Sequence, residues 1–271
     1  MNEPYDVAIV GGGPAGLTAA LWLGRYLHRV VVIDSGDPRN WETRGVNGFP
    51  GHPGTTPAEL RGKTRDECRA YGVELIDGFV VRVRQDDDGF ELQFDPMRGT
   101  KARDDHRGSG SPRAPWDNSP GPETRVLRAA RLLLAFGLRD EWPKIPGLQQ
   151  VYGSAAHVCP DCDGYETRDK KVVVLASGRK AAGMALNLTT WTNDIVICTN
   201  GREPDLDADQ CEKLDALNIP VLSARIERVV PQGDRIYSLE LEGGMHLDCD
   251  HLFFALSQRP ADDLGAQLAC E

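Results

Sequence analysis

Residues 5–34 read YDVAIVGGGPAGLTAALWLGRYLHRVVVID, and this stretch decides the fold. An apolar run from Tyr5 to Val10 leads into a glycine-rich turn, an apolar helix over Pro14–Leu27 and a second apolar run that ends at Asp34. Apolar, β-branched strands without alternation are typical of a parallel sheet covered on both faces. The stretch therefore predicts a strand–helix–strand unit at the start of an α/β domain.

The turn carries three glycines at the spacing of a dinucleotide-binding fingerprint. Gly11 would make the tight turn, Gly13 would let the backbone approach a pyrophosphate, and Gly16 would let the helix pack closely on the strand. The helix start offers free N–H groups to phosphates, and Asp34 can accept hydrogen bonds from ribose hydroxyls. A glycine turn without a ligand is the alternative, but the strand, helix and acid around it favour a bound dinucleotide.

The second motif, from Cys159 to Gly164, reads CPDCDG. If Cys159 caps a helix with Pro160 at its first turn, both sulfurs lie near the positive end of that helix, which favours the thiolate. Asp163 follows the pair directly and can give or take the proton that accompanies disulfide exchange. The motif predicts that Cys159 and Cys162 form a redox-active pair.

A zinc site is the competing interpretation of this motif. Such a site usually needs a second ligand pair, and His157 would supply only a third ligand. We interpret His157 as a hydrogen-bonding neighbour that could help polarise Cys159. The remaining cysteines are isolated in the sequence and are read as buried apolar side chains: Cys68, Cys198, Cys211, Cys249 and Cys270.

Composition limits the classes of partner. The chain has 271 residues and a net charge of −10, so nucleic acid and anionic membranes are not expected as partners. No apolar run approaches the roughly 20 residues that cross a bilayer. The N-terminus runs straight into a strand, so we expect no signal peptide and a cytoplasmic location, where seven cysteines would not form a disulfide framework.

The strand–helix–strand pattern starts again in the second half of the chain. In the first half, Thr56 as a cap and Pro57 in the first turn predict a helix over 56–71. Residues 96–123 are rich in Gly, Pro, Ser, Asp and Arg, which predicts a mobile insertion. The Pro- and Gly-bearing stretch 138–153 is the best boundary candidate. Beyond it, a strand at 171–175, a helix at 179–191 and a strand at 194–198 predict a second nucleotide-type domain.

With these motifs in this order, the chain resembles the low-molecular-weight thioredoxin reductases. The resemblance covers most of the chain, including the segments NGFPG at 47–51 and LAFG at 134–137. It implies that the first site binds FAD, with the asparagine segment beside the flavin. The cofactor-binding residues implied in this way are Gly11, Gly13, Pro14, Ala15, Gly16, Asp34, Asn47, Ala135 and Gly137.

The resemblance also implies roles for the cysteine motif. Cys162 would face the flavin ring, Cys159 would exchange with the substrate disulfide, and Asp163 would be the general acid or base. Thioredoxin would be the leading protein substrate, and a homodimer is expected by analogy.

Three departures from the family pattern bear on the electron donor and on flavin binding. The second glycine motif has Ala176 and Ala181 around Gly178, and an alanine in left-handed geometry would cost roughly 1 kcal/mol. The family's His-Arg-Arg for the NADPH 2′-phosphate falls on Thr199-Asn200-Gly201, so NADPH use is doubtful. The family's later Gly-Asp segment would fall beyond Glu271, as if the C-terminal part of the FAD domain were truncated.

The sequence thus predicts an α/β protein with two Rossmann-like, doubly wound, three-layer domains, the second inserted in the first. Residues 1–141 and 252–271 would form the FAD domain, and residues 142–251 a degenerate pyridine-nucleotide-type domain that carries the CxxC. The predicted function is FAD-dependent thiol–disulfide exchange with thioredoxin or a small dithiol or disulfide, and the electron donor is either weakly bound NADPH or another carrier such as ferredoxin. The alternatives are an oxygen-dependent dithiol oxidase of a small metabolite and a non-catalytic flavin-binding regulator.

Overall fold

The computed structural model describes residues 3–40, 43–96, 123–255 and 257–270. The predicted insertion at 96–123 therefore lies almost wholly outside the described residues. The chain divides into two compact units, each built from separate stretches of sequence. The first unit comprises Met1–Trp41, Thr56–Arg139 and Gln258–Glu271, and the second comprises Glu42–Thr55 and Asp140–Ser257.

The first unit alternates strands and helices and then continues with strands alone. Its elements up to residue 134 are β1 (Tyr5–Val10), α1 (Pro14–Arg25), β2 (Val30–Asp34), α2 (Pro57–Ala70), β3 (Glu74–Asp86), β4 (Gly89–Pro96) and β5 (Arg125–Leu134). Strand β1 lies between β5 and β2, and β3 follows β2, all in parallel. The second half of β3 pairs antiparallel with β4, and β4 with β5, so the sheet closes into a barrel.

Local sequence explains why these elements form where they do. The strands β1 and β2 are apolar and almost wholly buried, as the unalternating pattern predicted. Helix α1 begins with Pro14 at its first position. Helix α2 begins at Thr56, whose hydroxyl accepts a hydrogen bond from the Glu59 N–H while the Glu59 carboxylate accepts one from the Thr56 N–H. The helix predicted from Thr56 is confirmed.

The remaining elements build the second unit and the C-terminal end of the chain. They are β6 (Leu138–Glu141), β7 (Ala156–His157), α3 (Pro160–Asp163), β8 (Val172–Leu175), α4 (Gly178–Leu188), β9 (Ile195–Cys198), α5 (Ala208–Ala216), β10 (Val221–Leu222), β11 (Ile226–Gln232), β12 (Arg235–Leu241), β13 (Met245–Leu247), β14 (His251–Phe254), β15 (Ser257–Pro260) and α6 (Leu264–Gln267). The second unit contains a five-stranded parallel sheet in the order β10-β9-β8-β14-β7 and a three-stranded antiparallel sheet, β11-β12-β13. Both units are thus α/β with parallel strands, as predicted.

Two segments belong to a different unit from the one the sequence assigned to them. Strand β14 lies between β8 and β7 in the second sheet, whereas the sequence analysis placed residues from 252 onward in the first domain. An apolar strand fits either of two parallel sheets, so its composition could not choose between them. Residues 42–55 group with the second unit, and their contacts include an ion pair of Arg44 with Asp234 at 2.6 Å. Sequence position alone had assigned this segment to the first domain.

Candidate functional site

Of the three glycines in the first motif, two are required by close packing and the third borders open space. Gly11 has a left-handed φ of +109°, and a Cβ atom there would lie 2.4 Å from the carbonyl oxygen of Ala135. A Cβ atom on Gly16 would lie 1.9 Å from the carbonyl oxygen of Gly11. At Gly13 a Cβ atom would meet nothing within 4 Å, so the backbone there borders open space. This is the cradle that a pyrophosphate requires.

The start of α1 adds an electrostatic component to this cradle. Gly13 is the residue before the helix and provides no side-chain cap. The N–H groups of Ala15 and Gly16 in the first turn have no intrahelical acceptor, and the dipole of α1 makes this end positive. Gly137, in the loop after β5, has a φ of +76° and also borders open space. These features fit a dinucleotide such as FAD.

Asp34 ends β2 and is buried in a small ionic cluster. Its carboxylate forms an ion pair with Arg61, and Arg65 Nη1 lies 3.5 Å from Asp34 Oδ2. Burial alone would raise the pKa of Asp34, but the Arg61 charge and hydrogen bonds from the Gly12 and Gly36 backbone outweigh it and lower the pKa. The carboxylate is therefore ionised at neutral pH.

Sequence reasoning missed both arginines of this cluster. Arg61 also donates from Nε to the carbonyl oxygen of Gly12 at 3.2 Å, so it lies directly against the glycine turn. The available signal was their spacing of four residues on α2, which places them on one face of that helix.

The cysteine pair lies at the head of the short helix α3. Cys159 precedes the helix with Pro160 at the first position, as the sequence predicted. The N–H groups of Cys162 and Asp163 both donate to the carbonyl oxygen of Cys159, at 3.1 and 3.2 Å. Cys159 and Cys162 are joined by a disulfide bond. Cys162 is exposed and Cys159 half-buried, so the pair is accessible for exchange.

Two contacts hold this helix from outside the motif. Asn47 donates from Nδ2 to the carbonyl oxygen of Cys162 at 3.0 Å, which brings this predicted cofactor residue to the cysteine pair. Gly164 packs on Trp191 so closely that a Cβ atom would lie 2.4 Å from the indole ring. The glycine of the motif is thus required by packing.

Asp163 faces a pair of histidines in the second unit. Its Oδ2 lies 3.6 Å from Nδ1 of His157, which is 5% exposed. The Nε2 of His157 lies 3.1 Å from Nδ1 of His251, a residue that the sequence analysis did not single out. The two histidines are 94 residues apart in sequence, and no local pattern links them.

The second glycine turn differs from the first in its backbone. Its left-handed residue is Gly178, with a φ of +61°, whereas Ala176 does not adopt a positive φ. The conditional penalty for a left-handed alanine therefore does not arise. The Gly178 N–H donates to the carbonyl oxygen of Pro204 at 2.7 Å. A Cβ atom on Gly178 would lie 3.3 Å from both the backbone oxygen and the carboxylate of Asp205.

The residues that replace the family's phosphate-binding triplet serve the structure of this loop. The Asn200 side-chain oxygen accepts a hydrogen bond from the Ile226 N–H at 2.7 Å. The Thr199 hydroxyl donates to the carbonyl oxygen of Arg202. These bonds fix the loop from 199 to 205 internally, the Gly178–Pro204 hydrogen bond joins it to the glycine turn, and the Asp205 carboxylate lies beside Gly178.

Among the described residues, no helix is long and apolar enough to cross a membrane. In the same part of the chain, no group of three or more His, Cys, Asp or Glu side chains could hold a metal ion.

Comparison with known proteins places this geometry in a family context. Residues 5–271 match the family model described as "Pyridine nucleotide-disulphide oxidoreductase". Thioredoxin reductase tcpT from Claviceps purpurea is 31% identical over 207 residues, which cover 73% of this chain and 56% of that protein. The chain spans about half the length of the first curated relatives it matches.

Two crystal structures are also similar over nearly the whole chain. The crystal structure of HlmI is 32% identical, with a TM-score of 0.82, and the match covers 99% of this chain and 76% of that one. An oxidoreductase from Agrobacterium tumefaciens is 30% identical, with a TM-score of 0.80 and coverages of 99% and 80%. The predicted family resemblance and the two-domain Rossmann fold are confirmed.

Proposed function

Because this chain belongs to the pyridine nucleotide-disulphide oxidoreductase family, we propose that it is an FAD-dependent thiol–disulfide oxidoreductase. The observation that carries the proposal is the accessible disulfide between Cys159 and Cys162, at the head of a helix and directly before an acid. A structural disulfide would join distant segments, because the stabilisation grows with the length of the closed loop. A bond across three residues constrains almost nothing, so a redox role explains it better.

The first glycine turn supports FAD as the cofactor. Gly11, Gly13, Pro14, Ala15 and Gly16 would hold the pyrophosphate, with the N–H groups of the first turn of α1 as donors. Asp34 would accept from the ribose, and Ala135 and Gly137 would line the same turn. Asn47 belongs to this proposal through the family resemblance. Bound FAD would supply a two-electron carrier for the cysteine pair.

The cysteines would carry out a reversible exchange of disulfides. In the reducing direction, the Cys159 thiolate attacks a sulfur of the substrate disulfide, and one substrate thiolate leaves. The Cys162 thiolate then attacks Cys159, which releases the second substrate thiolate and re-forms the Cys159–Cys162 bond. Two electrons pass from the pair to the substrate, and Asp163 supplies a proton to a leaving thiolate. The same steps in reverse oxidise a dithiol.

The second glycine turn does not fit NADPH. The Asp205 carboxylate and the Pro204 carbonyl oxygen lie where a pyrophosphate would need donors, and like charges placed together oppose binding. Thr199, Asn200 and Gly201 offer no positive charge for a 2′-phosphate. The electron partner would then be a dithiol, ferredoxin or another carrier. Thioredoxin is the leading protein substrate, and a homodimer and a cytoplasmic location are proposed by analogy.

This closed turn also favours a second candidate, an oxygen-dependent dithiol oxidase that acts on a small metabolite. Such an enzyme takes electrons from the dithiol itself, so it has no need of a nicotinamide site. A non-catalytic flavin-binding regulator is less consistent with the structure, because it would have no use for a reactive pair.

An anaerobic titration of the purified, FAD-loaded protein tests these proposals. We expect the flavin absorption to persist with NADPH or NADH and to bleach with dithiothreitol. Bleaching near stoichiometric NADPH would show that the second turn binds it after all, and a protein that retains no FAD after reconstitution would refute the flavoenzyme. The control is Cys159→Ser, for which we expect retained FAD without dithiol turnover. Oxygen is then admitted to the dithiol-reduced protein. If the protein is an oxidase, the flavin band returns and the dithiol is oxidised catalytically; if it needs another acceptor, no such turnover occurs.

A further inference from the structure

His157 and His251 lie behind Asp163 on neighbouring strands of the second unit. The register of β14 with β7 pairs Phe253 with His157, and His251 precedes Phe253 by two residues, so the three side chains share one face of the sheet. The two imidazole rings stack with centroids 5.3 Å apart, and the His157 ring lies 5.1 Å from the Phe253 ring. The packing fixes both imidazoles in place.

The polar atoms of these side chains form a chain that starts at Asp163. Within the described residues, Nδ1 of His157 is buried without a hydrogen-bond partner, and it points toward Asp163 Oδ2 at 3.6 Å. Its Nε2 is within hydrogen-bonding distance of Nδ1 of His251, at 3.1 Å. A buried polar atom without a partner is costly, and such atoms call for an explanation. Exchange of a proton between Nδ1 of His157 and the Asp163 carboxylate would explain why this atom is buried without a fixed partner.

This chain of atoms has two complete hydrogen-bonding arrangements. In the first, His157 donates from Nδ1 to the Asp163 carboxylate, and His251 donates from Nδ1 to Nε2 of His157. In the second, protonated Asp163 donates to Nδ1 of His157, whose Nε2–H donates to Nδ1 of His251, while Nε2 of His251 carries a proton. The second arrangement holds one proton more than the first. A proton that enters at His251 Nε2 is thus matched by one that arrives on Asp163.

We propose that His157 and His251 form a proton relay that positions Asp163 and exchanges its proton with solvent at each thiol–disulfide step. This inference rests on the function proposed above. In the reducing direction Asp163 gives its proton to the leaving thiolate and is recharged through the relay. In the oxidising direction Asp163 takes the proton of an attacking thiol, and His251, which is partly exposed, releases one to solvent.

The charges around His251 are consistent with a neutral imidazole that transfers a proton by changing from one tautomer to the other. Burial and the neighbouring His157 lower the pKa of His251 to about 4, although Asp250 and Asp163 oppose this shift and Lys170 adds to it. His251 is therefore neutral at the pH of the cytoplasm. A neutral imidazole passes a proton by taking one at one nitrogen and giving one from the other.

The test follows reduction of the pair by dithiothreitol in the full-length, FAD-loaded protein under anaerobic conditions from pH 6 to 9. Each sample is read in two ways, by alkylation of freed Cys159 and Cys162 and by flavin absorption. The variants are His157→Asn, which keeps a donor toward Asp163 but cannot relay a proton, and His251→Phe, which removes the outer nitrogens. The matched control is His246→Phe, an exposed histidine on β13. Circular dichroism checks that each variant is folded.

We expect both relay variants to alkylate at least about tenfold more slowly at pH 7, because the proton-transfer step limits them. We also expect their pH profiles to be displaced and their rates in deuterated water to differ more from those in water than the wild-type rates do, because proton transfer limits the variants. The control should match the wild type in all three respects.

The two readouts separate failure of the relay from failure of the proposed function. If both variants have the alkylation rates and pH profiles of the wild type, the relay is overturned. It is also overturned if His251→Phe alone has the wild-type profile, because Asp163 and His157 would then be sufficient for proton transfer. Slow alkylation in both variants would support the relay. If the wild-type flavin nevertheless failed to bleach, the proposed function would fail while the relay stood.

Discussion

The turn that follows β1 and the turn that follows β8 are built alike, each leading from a buried parallel strand into a helix, yet their backbones differ. In the first the left-handed residue is Gly11, and in the second it is Gly178, two positions further along the same motif. Gly13 borders open space, whereas its counterpart Gly178 is buried and hydrogen-bonded to Pro204. The same kind of turn is therefore open at Gly13 and closed by its own chain at Gly178, which is the difference that the proposed FAD site and the proposed loss of NADPH binding rest on.

A strand–glycine turn–helix pattern thus specifies the fold, and on the proposed function the loop opposite the turn determines whether a dinucleotide can bind. In the first unit the segment at Ala135 packs against Gly11, but Gly13 and Gly137 border open space. In the second unit the loop from 199 to 205 packs against Gly178, the counterpart of Gly13. Five substitutions test this difference between the two turns.

The largest expected effect comes from the closest packing in the first turn. A Cβ atom in Gly16→Ala would lie 1.9 Å from the Gly11 carbonyl oxygen, so α1 must shift. We expect a loss of about 3 kcal/mol or more in unfolding free energy and loss of bound FAD. The counterpart, Ala181→Gly, should cost only about 1 kcal/mol and leave the FAD content unchanged. Urea unfolding and the ratio of flavin to protein absorption measure both, and a flavin-replete Gly16→Ala protein would contradict the role of this contact.

The acid of the first turn comes next. Asp34→Asn leaves the Arg61 guanidinium without its carboxylate partner, whereas Arg65 keeps its ion pair with Asp77, and we expect a loss of about 3 kcal/mol in unfolding free energy together with weaker FAD binding. The folded pKa of Asp34 is lowered, so its contribution is present above the ordinary value of 3.8 and is lost as the pH falls through the folded pKa. At pH 7 the variant should unfold at a lower temperature than the wild type, and this difference in melting temperature should decrease toward pH 3. A difference that does not change with pH would show that the Asp34 charge does not cause the loss of stability.

Replacing the acid of the second turn should have a smaller effect, and it should strengthen nucleotide binding rather than weaken it. Asp205→Asn removes the charge beside Gly178 and retains a residue that tolerates the left-handed φ of 48°. We expect NADPH to bind about tenfold more tightly than to the wild type, still weakly, because Pro204 remains in place. Titration calorimetry measures the change, and unchanged affinity would assign the closure to the backbone of the loop alone.

The smallest effect concerns the tight-turn position of the second motif. Ala176→Gly restores the family glycine, but Ala176 is not left-handed, so no strain is relieved. We expect a loss of about 0.5–1 kcal/mol in unfolding free energy through the greater freedom of the unfolded chain. A gain in stability in urea unfolding would instead show that the turn is strained by the alanine.

Sequence reasoning succeeded where the determining contacts are local. The glycine spacing, Pro14 at the start of α1, the cap of α2 at Thr56 and the helical placement of Cys159 all depend on residues within a few positions of one another. Hydrophobic pattern and capping chemistry are sufficient for such features.

Sequence reasoning failed where distant segments meet. His251 reaches His157 across 94 residues, and Asn47 reaches Cys162 across 115. Arg61 approaches Asp34, at the end of β2, from helix α2, and Asp205 approaches Gly178 from the loop after β9. The sheet that β14 joins depends on competition between two similar apolar surfaces. Apart from the four-residue spacing of Arg61 and Arg65 on α2, none of these contacts leaves a periodic signal in the chain.

The packing of Gly164 against Trp191 has a practical consequence. The residue directly after Asp163 lies against an indole ring, so any movement of α3 when the cysteine bond opens or closes changes the surroundings of that ring. Indole emission responds to such changes in position and polarity. Once the other four tryptophans of the chain are replaced, the emission of Trp191 would let the state of the two sulfurs be followed in time without a label.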